Sequence, residues 1–245
     1  MNIDAVTAYV MIVIFLATLI RSTFGFGESL VAVPLLALRL PLDIAVPVSV
    51  LVSVSVAGIV VAQDWKKIHI RSAGGLVFFT LLGIPLGLML LTSGNEQIVK
   101  AVLGVIIIGF SLYFLSGRRP AVSGSRAWLF GCGFVAGVLG GAYGLNGPPL
   151  ALYGSMRRWT AQHFRATLQA YFLPASLIGM AGYWLEGLWV AAVTDYFLWS
   201  LPAMLPAIFL GRWINHRLQG ERFYRYVYLG LAGIGALLLA ETFLG

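Results

Sequence analysis

Gly140-Gly141-Ala142-Tyr143-Gly144-Leu145-Asn146-Gly147-Pro148-Pro149 interrupts an apolar stretch just past the middle of the chain. Four glycines and two prolines in ten residues do not continue a helix. Glycine costs about 1 kcal/mol relative to alanine in a helix interior, and proline about 3. An earlier stretch, Phe24-Gly25-Phe26-Gly27-Glu28-Ser29, breaks the first apolar segment in the same way. Each break is followed by an abnormally short apolar run, 29–38 and 148–156. The remaining apolar segments lie at about 5–21, 43–62, 73–91, 98–115, 127–140, 164–185, 191–211 and 223–243.

These segments dominate the chain. Of its 245 residues, 60% are hydrophobic and only 10% charged, with a mean hydropathy of +0.91. Soluble domains carry about 25% charge, so a soluble enzyme, a coiled coil and a disordered tail are excluded. A helix crosses a bilayer with about 20 apolar residues. The chain therefore reads as an all-α polytopic membrane protein with one transmembrane domain. The net charge of +7 is read as basic loops held on the cytoplasmic side and not as a nucleic-acid surface. The single cysteine, Cys132, excludes an intrachain disulfide and reads as a small packing residue. The first residues, MNIDAVTAYVMIVIFLATLI, carry no basic leader and no clear cleavage site, so the first helix is expected to be retained.

The breaks repeat. Gly25 and Gly144 are 119 positions apart, Pro47 and Pro174 are 127 apart, and Pro85 lies 117 or 121 positions before Pro202 or Pro206. A duplicated unit of roughly 120 residues fits this spacing. Charge then sets the topology. Basic residues cluster at Lys66, Lys67 and Arg71, at Arg118, Arg119 and Arg126, at Arg157, Arg158 and Arg165, and at Arg212, Arg217, Arg222 and Arg225. Loops 92–97 and 186–190 have none. If each broken region crossed once, the clusters would divide between the two faces, against the positive-inside rule. If each is a hairpin that enters and leaves on one side, all four clusters share the cytoplasmic face, leaving only Arg39 and Lys100 opposite. The reading is two inverted repeats, 1–122 and 123–245. Each is a broken-helix hairpin, 5–38 or 127–156, plus three transmembrane helices, with both termini outside. That is a transporter architecture, with a site near the midplane between the repeats.

Backbone in lipid tolerates such breaks only where protein or a water-filled cavity surrounds them. The helical arms after the breaks expose unpaired N–H groups of partial positive charge. Two such ends together would make an anion cradle. Gly25, Gly27, Gly144 and Gly147 would permit close backbone approach, and Pro148 suits a first helical position. Gly83 and Gly87 read instead as close helix packing. Arg21, just before the first break, is an expensive residue at membrane depth. It grips an anionic substrate, neutralises Glu28 or snorkels to the headgroups. Glu28 either carries a coupling proton or is the fixed partner of Arg21. Ser29, Asn146, Ser22, Thr23 and Tyr143 are neutral polar groups nearby, and Gln169, Tyr171 and His163 follow the second hairpin. His69 and His216 fall in basic loops. The histidines are scattered and offer no transition-metal site, so neither a metal nor a cofactor is called for. HExxH, P-loop and GxSxG motifs are absent. Trp65, Trp128, Trp159 and Trp189 read as interfacial anchors.

The two motifs FGFGESLVAVPLL and GVLGGAYGLNGPPLALYG, near the N-terminus and past mid-chain, resemble those of the sulfite exporter TauE/SafE family of membrane transporters. There each half carries a glycine-rich turn followed by a short apolar stretch. Gly25 and Gly27 match the first copy, and Gly144 and Gly147 the second. Glu28, Ser29 and Asn146 stand where the family pattern has glycine. The resemblance implies secondary transport of small sulfur-containing anions, sulfite or organosulfonates, across a bacterial inner membrane. The departures leave room for another anion, such as a carboxylate. The substrate-binding set expected from both arguments is Arg21, Gly25, Gly27, Glu28, Ser29, Gly144, Asn146 and Gly147. The partners are a small anion, the lipid bilayer and a coupling proton or sodium ion. Transport of a cation or neutral solute, favoured by Glu28, is the alternative, ahead of a membrane enzyme.

Overall fold

The computed structural model describes residues 4–93, 95–117, 125–157, 159, 161–217 and isolated positions between 229 and 240. Apart from those isolated positions the expected last span, 223–243, lies outside the described residues, as do Arg118, Arg119, Arg158, Arg222 and Arg225 and the side chains of Lys67, His163, His216 and Arg217. All regular structure among the described residues is helical. In order these helices are α1 (Ala5–Phe24), α2 (Glu28–Leu36), α3 (Leu42–Asp64), α4 (Ile70–Ser93), α5 (Glu96–Leu115), α6 (Arg126–Tyr143), α7 (Gly147–Met156), α8 (Ala161–Leu185) and α9 (Ala191–Arg217). Four of them, α1, α3, α4 and α9, are long and apolar enough to cross a membrane. The apolar part of α5 is shorter, Gln97–Tyr113. The chain is a polytopic membrane protein.

Both breaks are narrower than their composition predicts. The first is Gly25 to Gly27 and the second Gly144 to Asn146. Helix α6 runs through Gly140 and Gly141 because tertiary packing there outweighs helix propensity. A Cβ on Gly141 would sit 2.5 Å from the Ile84 carbonyl oxygen, and one on Gly140 would sit 2.5 Å from Asn146 Nδ2. The helix then ends on Gly144 at φ 67°, with the Gly144 N–H on the Gly140 carbonyl and the Leu145 N–H on that of Leu139. This is the usual left-handed glycine stop. Helix α1 ends similarly on Gly25, at φ 86°. Pro148 and Pro149 do not prevent a helix. Helix α7 starts at Gly147, which puts both prolines in its first turn, where an N–H has no intrahelical partner.

Helices α2 and α7, of nine and ten residues, rise roughly 14–15 Å, about half the ~30 Å hydrocarbon core. The Tyr9 hydroxyl donates to the Leu35 carbonyl at 2.6 Å. The start of α1 therefore lies beside the end of α2, as in a hairpin. Helix α7 likewise packs back on α6.

Two helix pairs form the closest contacts. Helix α4 packs on α6 and α1 packs on α9. On the first pair Gly83 and Gly87 press directly on α6 backbone. A Cβ there would lie 2.3 Å from the Phe134 oxygen and 2.2 Å from the Val138 oxygen. On the second, Gly211 meets Ser22 and the Leu19 carbonyl in the same way. Small residues let helices approach closely where no hydrophobic effect drives them together. Between the two pairs, α3 crosses α8, α4 touches α8, and α3 touches α9.

The described helix ends that carry the basic clusters lie together. The His69 N–H donates to Thr167 Oγ1 at 3.1 Å and its ring stacks on Trp159. Arg212 donates to Gln63 Oε1 at 2.8 Å. Leu129, one turn after Arg126, packs at Gly75, one turn after Arg71. Members of all four clusters thus come together. Arg165 departs from its cluster. It is buried on α8, with its Cα 3.2 Å from where a Cβ on Gly25 would stand.

Candidate functional site

The two breaks meet. A Cβ on Gly147 would lie 3.6 Å from the Phe26 ring and 3.9 Å from the Gly27 nitrogen, and one on Gly144 would lie 3.1 Å from Val50 and 3.6 Å from Ser29 Oγ. Between them lies a cavity of about 20 Å3, bounded by Arg21, Gly27, Glu28, Ser29, Ser53 and Phe172 and by Gly144, Gly147 and Pro148 of the second break. That volume has room for roughly one water molecule.

Arg21 and Glu28 are each only 2% exposed. The break makes them partners, because it turns the chain back so that Arg21, in the last turn of α1, faces Glu28, the first residue of α2. Nη1 of Arg21 donates to Glu28 Oε2 and to Ser53 Oγ at 2.7 Å. Its Nη2 and Nε donate to Gln169 Oε1 at 2.8 and 3.3 Å. The guanidinium lies 4.8 Å from the Phe172 ring centroid, a cation–π contact. Gln169 is fixed in turn, since its Nε2 donates to the Gly25 carbonyl at 2.8 Å. A buried guanidinium demands this degree of pairing, because an uncompensated charge costs several kcal/mol. Ser53 and Phe172 are both the twelfth residue of their helices, of 23 and 25 residues. The charged centre thus sits at mid-length of the α3–α8 crossing.

Glu28 is less satisfied. Its Oε1 is buried with no hydrogen-bond partner. The carboxylate sits in the first turn of α2, where no side chain caps the helix and the helix end favours negative charge. Helix α7 contributes less than a full helix end, because Pro148 and Pro149 have no N–H.

Of the residues expected at the site, Arg21, Gly27, Glu28, Ser29, Gly144 and Gly147 line the cavity. Gly25 does not. Its φ of 86° and its closeness to Arg165 give it a packing and turning role, while its carbonyl anchors Gln169. Asn146 is buried but faces a second cavity of about 10 Å3, with Val50, Ile84, Gly140 and Ser176. There its Nδ2 donates to Tyr171 at 3.4 Å, and Tyr171 shares a 2.7 Å bond with Thr80. The Ser53 and Ser176 hydroxyls, 3.1 Å apart, separate the two cavities. Sequence reading gave Gln169 no role and passed over Ser53 and Phe172. Ser49 and Ser53, four apart in an apolar helix, share a face, and that was the available signal. Among the described residues no three His, Cys, Asp or Glu side chains gather as a metal site requires.

Residues 10–238 match the sulfite exporter TauE/SafE family. The chain belongs to this family. It is a family of membrane transporters and not of enzymes, so the partners are a small-molecule substrate and the bilayer. No curated protein and no solved structure matches the chain.

Proposed function

We propose that this TauE/SafE protein is a secondary transporter of small anions of the sulfite or organosulfonate type, working by alternating access at a site between its two glycine-rich breaks. The observation that carries the reading is the meeting of both breaks around one cavity beside a buried, preoriented arginine. Arg21 supplies directional N–H donors suited to an oxyanion. The first turn of α2 and the Gly147 N–H add partial positive charge without bulk.

The halves are inverted repeats in this reading, 1–122 and 123–245. The packing supports this, since α1 meets α9 as α6 meets α4. The basic end is the cytoplasmic face of a bacterial inner membrane, and both termini lie outside. The cavity of about 20 Å3 is smaller than a four-atom oxyanion needs, so substrate enters in a more open state.

The test is flux into proteoliposomes holding the purified full-length protein. Saturable uptake of labelled sulfite or a sulfonate, competed by other sulfur oxyanions and absent from empty vesicles, is expected. Uptake of sodium alone, with no sulfur anion moved, would overturn the reading in favour of a cation carrier.

A further inference from the structure

We propose that the Glu28 carboxylate is a built-in occupant of the anion seat, and that substrate takes its place on Arg21 only as Glu28 takes up a proton. The result is transport of one proton with each anion. This deepens the anion-transport reading and rests on it.

Arg21 would survive the exchange in place. Its Nη2 and Nε are held by Gln169, which is itself anchored on the Gly25 carbonyl, and its face lies against Phe172. None of these contacts involves Glu28. Only Nη1 bridges to the carboxylate, and Ser53 stays beside it. The guanidinium is therefore a preorganised donor that changes partner without rebuilding its surroundings.

Glu28 is held on one side only. Oε2 meets Arg21, whereas Oε1 is buried with no hydrogen-bond donor from the protein, on a residue that lines the cavity. A carboxylate oxygen with no protein donor, beside room for roughly one water molecule, keeps little of its hydration. Taking up a proton removes the charge that needed Arg21. Space points the same way. A carboxylate withdrawn from Nη1 vacates a volume close to that of a small oxyanion head, which the present cavity lacks.

Charge balance ties the two events together. The empty site holds Arg21 positive and Glu28 negative. The loaded site holds Arg21 positive, the bound anion negative and Glu28 neutral. Either way the buried net charge is unchanged. Binding the anion without the proton would strand a second negative charge at a depth where that costs several kcal/mol. The step forms one O–H bond on Glu28 and breaks the bond to that proton in the hydronium ion or buffer acid that delivers it. Its proton comes from the aqueous phase to which the site opens. Other groups around Glu28 leave it this role. Helix α3 presents the neutral Ser49 and Ser53, and the second break presents backbone and proline. Helix α8 presents Gln169, Phe172 and, beside Gly25, Arg165, while Tyr171 is turned to Thr80 and Asn146.

The test uses methanesulfonate, whose charge does not change between pH 6 and 8, in proteoliposomes carrying a pH dye inside. Wild-type protein is expected to lose affinity by up to tenfold per unit rise in pH, the limit for one linked proton, and to acidify the lumen by one proton per anion. Glu28→Gln is expected to exchange methanesulfonate across both faces with an affinity that does not vary with pH, and without acidification. A wild-type affinity flat across this range, or anion uptake without acidification, overturns the exchange and leaves anion transport standing. The wild-type dye measurement decides alone where Glu28→Gln does not insert. Absence of flux for every sulfur oxyanion at every pH overturns the anion reading itself and the exchange with it.

Discussion

At Arg21 a single side chain joins three parts of the chain. It pairs with Glu28 across the first break, with Ser53 on α3 and with Gln169 on α8. Removing one partner of a buried pair leaves the other uncompensated, at a cost of about 3–5 kcal/mol. Arg21→Ala is therefore expected to lower the amount of folded protein sharply. The double change Arg21→Ala with Glu28→Gln is expected to recover folding but not transport. Detergent-solubilised thermal melts measure the first effect and proteoliposome flux the second. Unimpaired flux in the double variant would remove Arg21 from the site. Arg21→Lys keeps the charge but loses the fork to Gln169, so partial folding with weakened anion affinity is expected.

Helix against helix, the structure rests on small residues at close crossings. A Cβ on Gly87 would lie 2.2 Å from the Val138 oxygen, while one on Gly109 meets nothing within 4 Å. Gly87→Ala is expected to push α4 from α6 and cost at least the 1–3 kcal/mol typical of overpacking, lowering the melting temperature. Gly109→Ala is expected to leave it unchanged or raise it slightly, since alanine favours helix by about 1 kcal/mol. Equal melting temperatures for the two variants would contradict the α4–α6 crossing. The end of α6 offers a second check. The Tyr183 hydroxyl donates to the carbonyls of both Gly140 and Gly141 at 2.9 Å. Tyr183→Phe strands the buried Gly141 carbonyl, while that of Gly140 keeps the Gly144 N–H, and is expected to cost about 1–3 kcal/mol, read by the same melts.

For the molecule as a whole, the convergence of basic residues from four stretches at one end predicts their labelling pattern. Cysteines placed in 92–97 and 186–190 are expected to react with an impermeant thiol reagent from outside the cell, and cysteines beside Lys66, Arg126, Arg157 and Arg212 are not. Cys132 is buried and contributes little background. Opposite labelling of the Lys66 and Arg157 regions would overturn the inverted arrangement. In the proposed inverted-repeat reading, the α1–α9 and α6–α4 contacts are the surfaces across which the two halves would rock. The Ser53–Ser176 contact between α3 and α8 then lies where such motion would pivot.

The sequence by itself determined that this chain lives in a bilayer, because 10% charge cannot coat a soluble globule. It also marked both breaks, since glycine and proline act through local backbone freedom that no distant contact is needed to reveal. Small-residue spacing at Gly83 and Gly87 was legible for the same reason. The tertiary structure alone decided where each break begins, because Gly140 and Gly141 stay helical only through contacts with α4 and Asn146. It alone separated Gly25 and Asn146 from the cavity, which depends on the direction each residue faces after the chain has turned. It alone joined Ser53 and Gln169 to Arg21. Those groups lie 32 and 148 positions away, and nothing in local pattern records a contact that exists only because α3 and α8 cross.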